Sequence, residues 1–551
     1  MTARRTRLGW RGLWAVLLTA LASAATPQED ERLLIVKVRV ERISVFDDET
    51  AEDRRLARWV NALHSTTRES TIRREMWFGE GDRVTSEEVE EFERNLRDIG
   101  LFAEAEVKLE PTDVPGEYEL VIHTHDRLSL FGGAAGGVIG GVGVVGGGLG
   151  ERNLFGRGDR LSAAYAENSL GEFRGAVSYR DFHVGSSWVQ GNITVGRTDE
   201  GNFIRAGLRR PFKHLADPWS WKVNIDRSTS DTDYYEAGES VAEVDQAQSV
   251  LNFESIWRTG PLDRLWHRGF VLSYGSFKYD PATGAQANTV RVPGDTDRIF
   301  SGGLLGYDRV SEYRKVRGLD TLDYVQDLTL GQRYEIIGGG QWRAEAGESE
   351  RVEPSLSLKA STAHYAGRES YVTLGLRGSG RTHAGEWRGW TGGVALHGYL
   401  LERGPHTYAG SVAFDAAFEG DDLPISLTLG EDNGLRGYPA REFSGTRRMR
   451  INLEDRLDFG ITTYAFQLGM VGFYDAGWSW DQGESPGEAL QSVGVGLRIG
   501  SRSLLGGGVV RIDLAFPLNS VDGREDYGPQ LSLSIGQVFS FVGNSSSLSQ
   551  R

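Results

Sequence analysis

Leu435-Arg436-Gly437-Tyr438 places a guanidinium between a leucine and a Gly-Tyr pair, ahead of a strand with one charged face. On that strand Met449, Ile451, Leu453, Leu457 and Phe459 alternate with Arg450, Asn452, Glu454, Arg456 and Asp458. A second strand sets Phe466, Leu468, Met470, Tyr474, Ala476 and Trp478 against Gln467, Gly469 and Asp475. The period of two puts Glu454 and Asp475 on the polar faces of their strands. A guanidinium grips a carboxylate through two parallel hydrogen bonds, and burial strengthens the pair. The chemistry on offer at Arg436 is therefore an ion-pair lock. Gly434 and Gly437 leave the backbone free to turn closely there.

Catalytic and metal-binding patterns are missing. There is no G-x-S-x-G and no H-E-x-x-H, and the 10 histidines are scattered. His123 and His125 share a strand face at i, i+2 without a third ligand. Gly141-Val142-Gly143-Val144-Val145-Gly146 reads as G-x-G-x-x-G, with Glu167 further on. A dinucleotide site needs a helix after those glycines. Here a turn and another alternating segment, Leu161, Ala163 and Tyr165, follow. We expect no catalytic residue, no metal site, no cofactor and no enzymatic activity.

The elements that must position Arg436 are β-strands of an unusual kind. Polar residues in register on an inner face suit a membrane barrel, with lipid outside and a wet lumen inside. The mean hydropathy of −0.37 excludes a bundle of membrane helices, and alternating barrel strands escape such averages. The 73 glycines and 14 tryptophans fit a turn-rich, aromatic-anchored β chain. The net charge of −16 argues against nucleic acid as a partner. The absence of cysteine removes disulfides, thiolate zinc sites and a lipoprotein anchor.

The chain divides into four parts. Residues 1–24 read as a secretory signal peptide: Arg4, Arg5, Arg7 and Arg11, then the apolar Leu13 to Leu21, then Ala22-Ser23-Ala24. Residues 30–127 form a small α+β module. Val36, Val38 and Val40 mark its first strand, and helical spacing places one helix over Asp53 to Leu63 and another through Ile72, Met76 and Trp77. Thr85 and Glu88 form a capping box opening a further helix, whose buried stripe is Val89, Phe92, Leu96 and Ile99. Residues 130–543 form the barrel, and 544–551 a disordered tail. Leu128 to Gly150 is free of charge and about half glycine, too poor in helix formers for a transmembrane helix. We read it as the first barrel strand.

Several motifs converge on one family. Gly81-Asp82, Asn95-Leu96-Arg97 and Gly100-Leu101-Phe102 resemble the signature of a POTRA domain, the periplasmic module that precedes outer-membrane assembly barrels. Asn153-Leu154-Phe155-Gly156-Arg157-Gly158 resembles the segment after the first strand in BamA/TamA-type barrels. Leu435-Arg436-Gly437-Tyr438 resembles the family's V-R-G-F/Y loop motif, and Phe473-Tyr474-Asp475-Ala476-Gly477 its F-x-D-x-G strand motif. Ser534, Gly536, Phe539 and Phe541 resemble the terminal β-signal.

The resemblance implies a barrel of about sixteen strands with the loop folded into the lumen and Arg436 paired to Glu454 and Asp475. It implies one periplasmic POTRA-like domain, contact with outer-membrane lipid, unfolded outer-membrane or secreted clients, and accessory proteins met through the module. The expected function is insertion or translocation of polypeptides at the outer membrane. A secretion pore for one dedicated client and a passive pore are the alternatives. The glycines of the first strand, Gly137, Gly141 and Gly143 among them, suit a poorly zipped seam.

Overall fold

The computed structural model describes residues 32–535, apart from short internal stretches of which 47–57, 419–426, 501–508 and 521–526 are the longest. The fold is mostly β. The signal-peptide region, the tail and most of the segment read as a helix from Asp53 to Leu63 lie outside the described residues.

The small module runs β1 (Leu33–Ile43), α1 (Glu69–Arg74), β2 (Arg83–Val84), α2 (Ser86–Asp98), β3 (Phe102–Pro111) and β4 (Glu117–Asp126). Its sheet order is β2-β1-β4-β3. β1 lies parallel to β4, and β3 antiparallel to it. Phe92 and Leu96 of α2 pack with Ile35, Ile72, Leu120 and Ile122 into one core. Thr85 caps α2: its hydroxyl accepts from the Glu88 N–H, and the Glu88 carboxylate accepts from the Thr85 N–H at 2.9 Å. Gly100, at φ +73°, lets the chain leave the helix. The helix expected through Trp77 is shorter, ending at Arg74. Trp77 instead stacks at 4.9 Å on His214, a residue of the barrel. A tertiary contact outweighs local helical spacing there.

Among the described residues, twenty antiparallel strands, from Leu130–Ile139 to Gln530–Ile535, close into a barrel in which the last of them lies beside the first. Twenty replaces the sixteen expected. That number came from family likeness, and the long strands between Trp219 and Glu345 carry too many polar residues on both faces to be counted by alternation. With that even count the first strand begins and the last described strand ends at the module's end of the barrel.

The glycine stretch also differs from the expectation of a single strand. It forms two paired strands, Leu130–Ile139 and Val142–Leu154, with Gly137 opposite Val144 and Val138 opposite Gly143. Any glycine pair can turn, and alternation is illegible where side chains are missing, so the sequence does not mark this hairpin. Asn153 to Gly158 therefore follows the second strand and leads into Asp159–Asn168, and no helix follows the G-x-G-x-x-G glycines.

Inside and outside separate by parity. Leu453 and Val495 are half exposed on the outer surface, whereas Asn452, Glu454, Asp475, Ser492 and Asp513 are buried toward the lumen.

Candidate functional site

Arg436 belongs to the connection between strands His406–Ala417 and Arg447–Thr462. Leu427–Leu429 and Phe443–Gly445 pair as a short hairpin stem, and a 3-10 turn, Glu431–Asn433, bends the tip. Gly434 at φ +92° and Gly437 at φ +93° hold backbone angles that side chains disfavour. A Cβ on Gly437 would lie 3.0 Å from the Ser492 Cβ, so the loop lies directly against the inner wall. Leu429 and Leu435, both fully buried, rest on Gly477, where a larger residue would push them off.

The loop delivers the Arg436 guanidinium, 1 % exposed, onto the charged faces of the next strands. Its Nε donates to Asp475 Oδ2 at 2.6 Å and its Nη2 to Asp475 Oδ1 at 2.8 Å, a two-pronged grip. Nη1 donates to Glu454 Oε1 at 2.9 Å and reaches Asp513 Oδ2 at 3.5 Å. The Phe473 ring lies under the guanidinium, 3.5 Å from Cζ to the ring centre. Asn452 Nδ2 bridges the Asp475 carboxylate at 2.8 Å and the Gly434 carbonyl at 2.7 Å. Three buried carboxylates would be costly around one cation. Three further arginines share the charge: Arg456 Nε donates to Glu454 Oε2 at 2.8 Å, Arg498 Nη1 to Asp513 Oδ1 at 2.6 Å, and Arg511 Nε lies 3.4 Å from Asp513 Oδ2.

The glycines of the wall make room for this cluster. A Cβ at Gly494 would strike the Phe473 ring at 2.2 Å, and one at Gly496 would strike Asp513 Oδ1 at 1.9 Å. Tyr438 anchors the other side of the loop. Its hydroxyl lies 2.9 Å from the Gln491 carbonyl and 2.8 Å from Asn519 Oδ1, and accepts from the Gln491 N–H at 3.1 Å. Its ring packs edge-on against Phe443 and Tyr527.

Residues 367–539, which hold the loop and every carboxylate around Arg436, match the model of the Omp85 superfamily domain. The chain carries an Omp85 superfamily domain. Comparison with curated proteins gives no match. Among solved structures, BamA from Haemophilus ducreyi lacking POTRA domains 1-3 aligns at 11% identity over 91% of this chain and 84% of that one, with a TM-score of 0.39. CdiB from Escherichia coli aligns at 13% identity over 91% and 76%, with a TM-score of 0.43. CdiB from Acinetobacter baumannii aligns at 12% identity over 92% and 74%, with a TM-score of 0.39.

In this Omp85 domain the structure brings Arg436, Glu454 and Asp475 into one cluster, with Gly437 and Tyr438 fixing the loop that carries them. Two members are missing from the sequence reading. Asp513 has the right parity on its strand, and that was its only signal. Phe473 serves as a ring platform that the motif alone does not reveal. Ser534 sits on the last described strand and accepts from Arg511 Nε at 2.7 Å. Gly536, Phe539 and Phe541 lie outside the described residues, as does Gly141. Gly137 and Gly143 sit in the first hairpin.

The histidine pair is accounted for by local partners: His123 Nδ1 lies 2.8 Å from Glu41 Oε2, and His125 Nε2 donates to the Val45 carbonyl at 3.0 Å. Among the described residues no group of three or more such side chains is arranged to hold a metal.

The small module docks on the mouth of the barrel opposite the Arg436 loop. Asn153 Nδ2 donates to the Ser65 carbonyl at 2.9 Å and to Thr67 Oγ1 at 2.8 Å, and its own Oδ1 accepts from the Gly158 N–H. A Cβ on Gly156 would meet the Thr66 carbonyl at 2.5 Å. The N-L-F-G-R-G turn is thus a docking knob that needs its glycines. Glu75, at the end of α1, meets His183 at 3.0 Å and Lys213, both barrel turn residues. Burial alone would raise the Glu75 carboxyl, but the His183 hydrogen bond and the Lys213 charge overcome it and hold it at about 2.

Proposed function

We propose that this protein is a bacterial outer-membrane barrel that moves other polypeptides into or across that membrane. The observation that carries this reading is the loop locked in the lumen by Arg436, within the Omp85 domain. Insertion or translocation is what the resemblance to BamA/TamA-type barrels implies, and insertion of outer-membrane clients is the form we favour.

The domain plan proposed with it is a signal peptide over 1–24, a periplasmic POTRA-like module over 30–127, the barrel over 130–543 and a tail over 544–551. Accessory proteins would meet the module, and lipid the outer wall. The glycine-rich first strand, beside the last strand, is proposed as a weak seam, since glycine contributes little side-chain packing. No step in this reading calls for catalysis, a nucleotide or a metal.

Depletion of the protein followed by quantitative proteomics of the outer-membrane fraction tests the function. Loss of a defined set of other barrel proteins is expected. An unchanged outer-membrane proteome, together with steady ion conductance of the purified barrel in planar bilayers, would refute it. A cysteine at Gly137 joined to one on the neighbouring last strand tests the seam, and full activity of the oxidised protein would count against its opening.

A further inference from the structure

A second segment folds into the lumen, from the module's end. Strands Thr296–Val316 and Gln326–Glu345 are joined by a turn, described over 317–322, that sends Leu319 and Leu322 against the inner wall. Leu319 is fully buried and packs with Tyr371 and Tyr399 on the inner wall. Gly318 takes φ +73°, and its carbonyl accepts from the Thr407 hydroxyl at 3.0 Å. Leu322 lies over two bare positions of the wall: a Cβ on Gly469 would meet it at 3.0 Å and one on Gly500 at 3.2 Å. The wall is shaped to receive this turn.

Both ends of the turn are held by α2. Arg97 grips Asp327 through Nε at 2.7 Å and Nη2 at 2.8 Å. Glu93 pairs with Lys315 and also with Arg97, one helical turn away. The inner tip touches the Arg436 cluster: Arg456 Nη1 donates to the Leu319 carbonyl at 2.7 Å, while Arg456 Nε donates to Glu454 Oε2 at 2.8 Å. Glu454 in turn accepts from Arg436 at 2.9 Å. A continuous chain of contacts runs from the module's helix, through the turn, to the loop at the opposite end.

We propose that turn 317–322 is a coupling element: displacement of α2 from the barrel mouth withdraws the turn and loosens the Arg436 loop. The direction follows from solvation. Withdrawal uncovers Gly469 and Gly500, admits water beneath Glu454, and takes the Leu319 carbonyl from Arg456. Water then competes for the ion pairs that hold Arg436. Engagement of the module by a partner is thereby communicated to the far side of the barrel without the partner entering the lumen. The coupling concerns this chain's own segments and holds whichever polypeptides the barrel handles.

The chain has no cysteine, so one introduced thiol reports alone. Ser492→Cys is nearly isosteric and sits beneath Gly437, where the seated loop covers it. Its labelling by a polar maleimide, in folded barrels separated by heat-modifiable mobility, reads the time the loop spends away. Arg97→Ala is expected to speed labelling roughly 5- to 150-fold, the usual span for coupled sites. Glu93→Gln should act in the same direction, and Arg39→Ala, whose partners lie within the module, should not. Because the contacts run in series, Arg97→Ala should add nothing once Arg456→Met is present. The proposal is overturned by an unchanged rate in both Arg97→Ala and Glu93→Gln while Arg436→Ala speeds labelling. It is equally overturned if Arg97→Ala acts as strongly without Arg456 as with it.

Discussion

Replacing Arg436 with alanine removes the cation that Asp475, Glu454 and Asp513 share. The loss is uneven. Glu454 keeps Arg456 and Asp513 keeps Arg498, so the fully buried Asp475 carboxylate is left with two neutral donors, the Asn452 amide at 2.8 Å and the backbone N–H of residue 436 at 3.3 Å. Breaking a buried pair from one side costs about 3–5 kcal/mol, because the remaining charge is neither solvated nor compensated. Arg441 lies five positions on in the same loop, with its side chain 47% exposed and 3.9 Å from Asp432. A surface pair of that kind contributes about 0–1 kcal/mol. Arg436→Ala should therefore destabilise the folded barrel by several times more than Arg441→Ala. Arg436→Lys should fall between, keeping the charge but losing the two-pronged grip on Asp475. Adding Asp475→Asn to Arg436→Ala should recover stability, with a coupling of about 0.5–3 kcal/mol. Urea unfolding in lipid vesicles, followed by tryptophan fluorescence and by heat-modifiable mobility, measures each variant. Equal losses for Arg436→Ala and Arg441→Ala would refute the assignment of Arg436 as the lock. So would a double variant whose loss is the plain sum of the two single ones.

Two further outcomes follow from the geometry. Gly437→Ala combines a backbone at φ +93° with a Cβ against Ser492, so it should cost about 1–3 kcal/mol in the same unfolding assay and raise labelling at Ser492→Cys. Docking of the module should depend on pH through Glu75. Its carboxyl titrates at about 2 in the docked form against an ordinary value of 4.5. The folded value lies below the free one, so the docking contribution is complete above about pH 4.5 and is lost as pH falls toward 2. Amide hydrogen exchange of α1 should report the onset of undocking in that window, and Glu75→Gln should abolish that pH dependence.

The period of two made much of this protein legible. Strand faces over Arg447–Thr462 and Gln467–Trp480 could be assigned from alternation, because each side chain faces either lipid or lumen and the two solvents select opposite residues. Parity alone therefore put Glu454 and Asp475 on the inner side, and glycines at 434 and 437 marked where the loop could turn. The capping box at Thr85 and Glu88 fixed the start of α2 for a reason local to four residues. Other features had no local cause. The glycine hairpin at 130–154 is invisible because alternation needs side chains to alternate. The strand number depends on closure of the whole sheet. Asp513 joins the cluster only when a strand some forty residues beyond Asp475 comes around the wall.

Composition, alternation and short-range capping thus determined that the chain makes a small α+β module and a barrel with a charged interior. Tertiary structure alone decided that Phe473 lies under Arg436, that Trp77 leaves its helix to stack on His214, and that turn 317–322 enters the lumen. The physical reason is the range of the forces involved. Periodicity and caps act within a few residues. Burying a guanidinium among carboxylates from three strands, or seating Leu322 on Gly469 and Gly500, requires partners far apart in sequence that only the closed barrel brings within reach.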